Sequence, residues 1–150
     1  MNKQKTNHHA QTRVISGHFG GKRVESRILE EQIQDAVAQG QRSLDIHAFG
    51  QHGIGGRLWS AGTDPVQIKI SGHPGQRVGS MGFPNTCIEV LGPASDDVGW
   101  LNAGAEIVVH GNAGNGCANA MAQGKIFIAG NIGALGMTMT KHNPRFAAPE

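Results

Sequence analysis

The sequence predicts a mainly β chain, a parallel β-helix of about four or five coils preceded by one helix. Three observations carry that expectation. Of 150 residues, 23 are glycine, about twice the usual ~7 %. Four of these glycines lie in residues 1–43 and nineteen in residues 44–140. The glycine-rich zone also repeats itself at a period of 19 to 20 residues, which indicates a solenoid.

Residues 1–20 read as a polar N-terminal arm, with no hydrophobic run behind MNKQKTNHHAQTR. Residues 21–41 place Val24, Ile28, Leu29, Ile33, Ala36 and Val37 at steps of one, three or four between Glu and Gln. That is the period of an amphipathic helix, and Gly40 is a suitable stop. Its apolar stripe must cover something, either a face of the coils or a neighbouring protein.

Residues 43–140 hold the repeats. Aligned on the glycine that ends each apolar run, VQIKISGHPGQRVGSM, CIEVLGPASDDVGWL, EIVVHGNAGNGCANAM and KIFIAGNIGALGMTM fall into register. The leading glycines are Gly72, Gly92, Gly111 and Gly130, at spacings of 20, 19 and 19. Small residues follow at Gly75, Ser95, Gly114 and Gly133, then at Gly79, Gly99 and Ala118, slipping to Gly136 in the last copy. A diverged earlier copy sets Leu44 and Ile46 ahead of Gly50, Gly53 and Gly56.

Two apolar columns run down the copies: Ile68, Ile88, Ile107, Ile126, and Ile70, Val90, Val109, Ile128. The period is too short for two helices and a turn, and the alternation is that of half-buried strands. Coils stacked about 4.8 Å apart bring identical columns together inside. Val78, Val98 and Cys117 form a third inward column, with Met81 and Leu101 as a fourth. The glycines then turn the chain with positive φ or let it pass close to the adjacent coil. Residues 141–150 read as a tail without helix or strand.

Several functions fall away. No apolar run is long enough for a membrane span, and no secretory signal is legible, so a cytoplasmic protein is expected. Thirteen basic and eleven acidic residues are mixed along the chain, without the clustered basic face that nucleic acid requires. The strings GNAGNG at 111–116 and GQHGIGG at 50–56 suggest phosphate loops, but a strand follows each where a helix should begin. Cys87 and Cys117 lack a CxxC or a nearby His pair and read as buried reduced thiols. The histidines are scattered, with His8 and His9 in the arm and His73 on a solvent-facing corner. Asn112 and Asn131 are expected to stack as a ladder. Asp96, Asp97, Glu89 and Glu106 read as a solvated face, and no catalytic, cofactor-binding or metal residue is assigned.

The run IKISGHPGQRVGSMGFPNTCIEVLGPASDDVGWLNAGAEIVV resembles the GXGXG domain, through Gly72, Gly75, Gln76, Gly79, Gly92, Asp97, Val98 and Gly99. Upstream, LDIHAFGQHGIGGRLWSAG, including Arg57 and Leu58, is similar to that family's first coil. The domain is a right-handed β-helix, found at the C-terminal end of the large glutamate synthase polypeptide and in one component of formylmethanofuran dehydrogenase.

The resemblance implies a non-catalytic spacer beside FMN-binding synthase and glutaminase domains. FMN and an iron–sulfur cluster would then belong to partner subunits, with no nucleic-acid or membrane partner. The structural residues it points to are Gly72, Gly75, Gly79, Gly92, Gly99, Gly111, Gly114, Gly130, Gly133 and Gly136. The family's domain has more coils, so either this chain is cut from a longer parent or a partner covers the last coil. Ser95 and Ala118 depart from its glycines.

Overall fold

The computed structural model describes residues 11–59, 62–140 and 147–150. The His8–His9 pair, His142 and most of the tail lie outside these residues. Strands β1 (Arg13–Ser16), β2 (His18–Phe19) and β3 (Lys22–Arg23) precede helix α1 (Ser26–Ala38). After it come β4 (Ser43–Phe49), β5 (Val66–His73), β6 (Thr86–Val90), β7 (Ala103–Val109) and β8 (Gln123–Ile128).

One parallel sheet in the order β1-β4-β5-β6-β7-β8 forms one wall of a β-solenoid of about four turns. The register aligns Leu44, Ile68, Ile88, Ile107 and Ile126 in one column. Ile15, Ile46, Ile70, Val90, Val109 and Ile128 make the second. These are the two columns that the repeat spacing predicts, and from Leu44 to Val109 each member is at most 2 % exposed. Val78, Val98 and Cys117 are buried as the third column. Met81 and Leu101 do not form a fourth. Met81 is only half-buried and Leu101 is 37 % exposed, because both sit in left-handed turns (φ +50° and +56°) whose side chains leave the core.

The segment read as a polar arm contains a strand. β1 pairs in parallel with β4, Ile15 opposite Ile46, and a short antiparallel hairpin, β2 with β3, follows it. That hairpin moves the helix start from the expected residue 21 to Ser26. Val24 therefore precedes the helix, partly buried against the core.

Within α1 the buried residues are Leu29, Ile33, Ala36 and Val37, spaced along one helical face. Burying each of the larger ones is worth about 1.5–3 kcal/mol over leaving it exposed. Since α1 connects parallel neighbours β1 and β4, it stands where later coils have a glycine-rich corner. It is tied to the corner of the first coil: the Ser26 hydroxyl accepts from the His52 N–H at 2.9 Å, the Gln34 amide donates to the Arg57 carbonyl at 2.6 Å, and Arg57 pairs with Glu30.

At the other end the tail is not detached. Glu150 lies beside β8, accepting from the Ile126 N–H at 2.7 Å and donating to the Gly124 carbonyl at 3.0 Å, while its carboxylate pairs with Lys125 at 3.2 Å.

Candidate functional site

The corners are built from a repeated local conformation. Left-handed residues recur at every second position: Gly53, Gly55, Arg57; Arg77, Gly79, Met81; Asp97, Gly99, Leu101; Gly116, Ala118, Ala120; Leu135, Met137, Met139. A side chain there costs about 1–2 kcal/mol, offset by hydrogen bonds between coils. The first and third residues donate forward, as in Arg77 to Asp96 at 2.9 Å and Met81 to Trp100 at 2.7 Å. The middle one donates backward, as in Gly99 to Val78 at 2.8 Å.

Where a following coil lies on the corner, the middle position demands a small residue. A Cβ on Gly79 would lie 3.1 Å from both Ile107 Cγ1 and Ile88 Cδ1. First and third side chains point outward, so Arg, Asp, Leu and Met are accommodated there. Sequence reading missed this triplet because most of its outward members are not glycine.

The expected small-residue sites fall into three groups. Gly79 and Gly99 are middle residues with φ +66°. Gly111, Gly114, Gly130 and Gly133 pass against the preceding coil's backbone, where added Cβ atoms would sit 2.8–3.0 Å from backbone atoms such as Pro93 N and Asn115 N. Gly72 and Gly75 approach β4 and the turn after it in the same way, and Gly72 also has φ +79°. Gly92 has open space and an ordinary φ, and nothing in the structure requires glycine there. Gly136 is not a slipped corner residue either, since Met137 (φ +57°) holds the place of Gly99 and Ala118.

In the first coil the structural register differs from the one the glycines suggest. Ala48 lies opposite Gly72, Gly75 bonds to the Gln51 carbonyl, and Gly55 holds the middle position. The places given to Gly50, Gly53 and Gly56 belong to Ala48, Gln51 and Gly55.

Gln51 is fully buried. Its Oε1 accepts from the Phe49 N–H at 2.7 Å, and its Nε2 donates to the carbonyls of Gly17 and Val24 at 2.7 and 2.9 Å. It therefore ties the N-terminal hairpin to the first coil, a role that only the tertiary structure reveals. Polar ladders run between the other corners. Asn112 Oδ1 accepts from the Asn131 N–H at 2.8 Å, as the sequence suggests. Equivalent bonds join Asp96 to Asn115, Asn115 to Ala134 and Asn119 to Thr138. The ladder is side chain to backbone, so it also fixes the spacing between coils.

The outer sheet face gathers several titratable groups. Glu89 meets His110 at 2.9 Å, and Glu106 stands exposed nearby. Cys87, opposite Glu106 in the register, is half-exposed, so the reading of two buried thiols holds only for Cys117. Burial pushes the Cys117 thiol up from its ordinary range. Among the described residues no group of three or more His, Cys, Asp or Glu is placed to hold a metal ion, and no helix is long and apolar enough to cross a membrane.

A groove of about 260 Å³ opens between α1 and the corners of the first three coils. Ser26 and Glu30 of α1 line it, together with His52, Arg57, Ser80 and Trp100. Arg77 lies over the Trp100 ring, its guanidinium carbon 5.1 Å from the centroid. Comparison of the chain with protein-family models, curated proteins and solved structures finds no match.

Proposed function

We propose that this chain is a non-catalytic β-solenoid scaffold of a glutamate synthase-like oxidoreductase, a cytoplasmic assembly that moves glutamine nitrogen to 2-oxoglutarate. In this reading the chemistry belongs to FMN-binding and glutaminase partners, which also hold the FMN and the iron–sulfur cluster. The observation that carries the reading is the coincidence of motif and corner. The Gly-x-x-Gly-x-x-x-Gly run at residues 72–79 resembles the GXGXG domain, and those glycines occupy equivalent places to residues 92–99 and 111–118 in successive coils.

A rigid stack suits a spacer, since its shape follows from a backbone ladder repeated coil by coil. Affinity capture of the tagged chain from its native host, followed by mass spectrometry, tests the proposal. Recovery of an FMN-binding synthase protein is the expected result. A molybdopterin protein would move the assignment to a formylmethanofuran dehydrogenase-like complex. A monomer that binds only a polysaccharide would reject both.

A further inference from the structure

We infer that the groove between α1 and the first three corners is a binding site for a phosphate group, free or carried as a small phosphomonoester. Its donors come from separate elements and converge. The Ser26 hydroxyl and the His52 ring are already oriented from behind: Ser26 Oγ accepts from the His52 N–H, and His52 Nδ1 accepts from the Gln76 N–H at 2.9 Å. Each therefore has a proton to donate, from Ser26 Oγ and from His52 Nε2.

Arg77 makes no ion pair among the described residues, and its guanidinium carbon lies over the Trp100 ring in a cation–π contact, 5.1 Å from the centroid. A guanidinium without an ion-pair partner is available for bidentate recognition of phosphate. Ser80 is only 5 % exposed, lines the same groove, and has no side-chain hydrogen-bond partner among the described residues. Its hydroxyl is therefore free to donate to an oxyanion acceptor in the groove. α1 begins at the rim without a side-chain cap, so N–H groups of its first turn lack a side-chain acceptor, with the Glu25 carboxylate at the N-cap as the acidic group beside them. Glu30 alone among the lining residues carries a negative charge, and it is engaged by Arg57. The volume lies below the usual range for drug-sized ligands, which favours a small ligand.

The chain has two tryptophans, Trp59 and Trp100, so Trp59→Phe leaves Trp100 as a reporter inside the groove. Titrating this variant with inorganic phosphate, and separately with glycerol phosphate, should give a saturable change in fluorescence that sodium chloride at matched ionic strength does not produce. A response to both ligands identifies the phosphate group as sufficient, and a response to glycerol phosphate alone identifies an ester as the ligand.

Arg77→Gln should weaken binding by about tenfold or more, the loss expected for a charge-assisted pair. Ser80→Ala should weaken it several-fold, and it serves as the deciding variant if Arg77→Gln does not fold. Glu30→Gln should tighten binding by removing the opposing carboxylate. A response equal to that of chloride, or one unchanged in both Arg77→Gln and Ser80→Ala, would overturn the proposal.

Discussion

The two ends of the described stack hold similar apolar residues in contrasting surroundings. At the first coil, α1 lies on the corner and its Leu29, Ile33, Ala36 and Val37 are at most 2 % exposed. In the last described coil, Ile132, Leu135, Met137 and Met139 are 49 %, 72 %, 57 % and 82 % exposed. Ile126 and Ile128 are only partly buried, whereas Ile107 and Val109 in the same columns are fully buried. A column position is sealed when a neighbour lies on both sides of it, which is the nearest-neighbour behaviour of a solenoid. The stabilising worth of a residue should therefore depend on which coil it occupies, even within one column.

The largest expected effect uses the middle corner position. Gly99 sits over the isoleucine column, and Met137 holds the equivalent place in the last described coil. Gly99→Met forces a long side chain into a filled core in a left-handed conformation, so overpacking and strain together should cost about 3 kcal/mol or more. Urea melts of the pair are informative, because Met137→Gly, which relieves backbone strain without opening a cavity, should stabilise by about 1 kcal/mol. Equal and opposite shifts at the two sites would mean that both coils are packed alike.

Truncations at the two ends come next. Ile33→Ala should cost about 2–5 kcal/mol, as for other buried aliphatic residues, while Leu135→Ala should stay within about 0.5 kcal/mol. A loss at Leu135 comparable to that at Ile33 would show that the last coil is covered in solution. Gln51→Ala tests how the N-terminal hairpin is held. It strands the Phe49 N–H and the carbonyls of Gly17 and Val24, for a loss of about 2–3 kcal/mol. Hydrogen exchange should then rise in β1 to β3 and stay unchanged in β6 and β7.

The fold was legible in the sequence where periodicity and side-chain size are coupled. Columns such as Ile68, Ile88, Ile107 and Ile126 recur because one pocket geometry is used in each coil, and their register could be read from spacing alone. Glycine was a less reliable guide. It is sterically required at Gly79 and Gly99 but not at Gly92, and the left-handed positions of Arg77, Asp97 and Leu101 look ordinary in sequence. The first coil shifted in alignment because Ala48 and Gln51 stand where later coils have glycine at 72 and 75. Gln51 is permitted there by Gly17, where a Cβ would come within 2.7 Å of the Gln51 amide carbon, a contact over 34 residues that no local pattern encodes. β1 was hidden for a similar reason, with only Ile15 of its four residues buried. The groove stayed invisible because its groups come from three corners and a helix, brought together only by stacking.

The smallest expected effect concerns the thiols, which compare an inner column with the outer face of the sheet. Cys117 is buried and its pKa is raised, chiefly by desolvation, whereas Cys87 is half-exposed. With the folded pKa above the unfolded one, Cys117 contributes nothing to pH dependence while both states keep the thiol protonated. As pH rises through the unfolded thiol range near ~8.5, the unfolded chain loses its proton first, and stability falls until the folded thiol also ionises. Wild-type protein should therefore lose stability with increasing alkalinity more steeply than Cys117→Ala, once the constant cavity cost of that variant is subtracted. In the native state a thiol reagent at mildly alkaline pH should modify Cys87 first, with Cys117 reacting only as fast as the coil opens. Simultaneous modification of both would place Cys117 in contact with solvent and remove the desolvation on which its raised pKa depends.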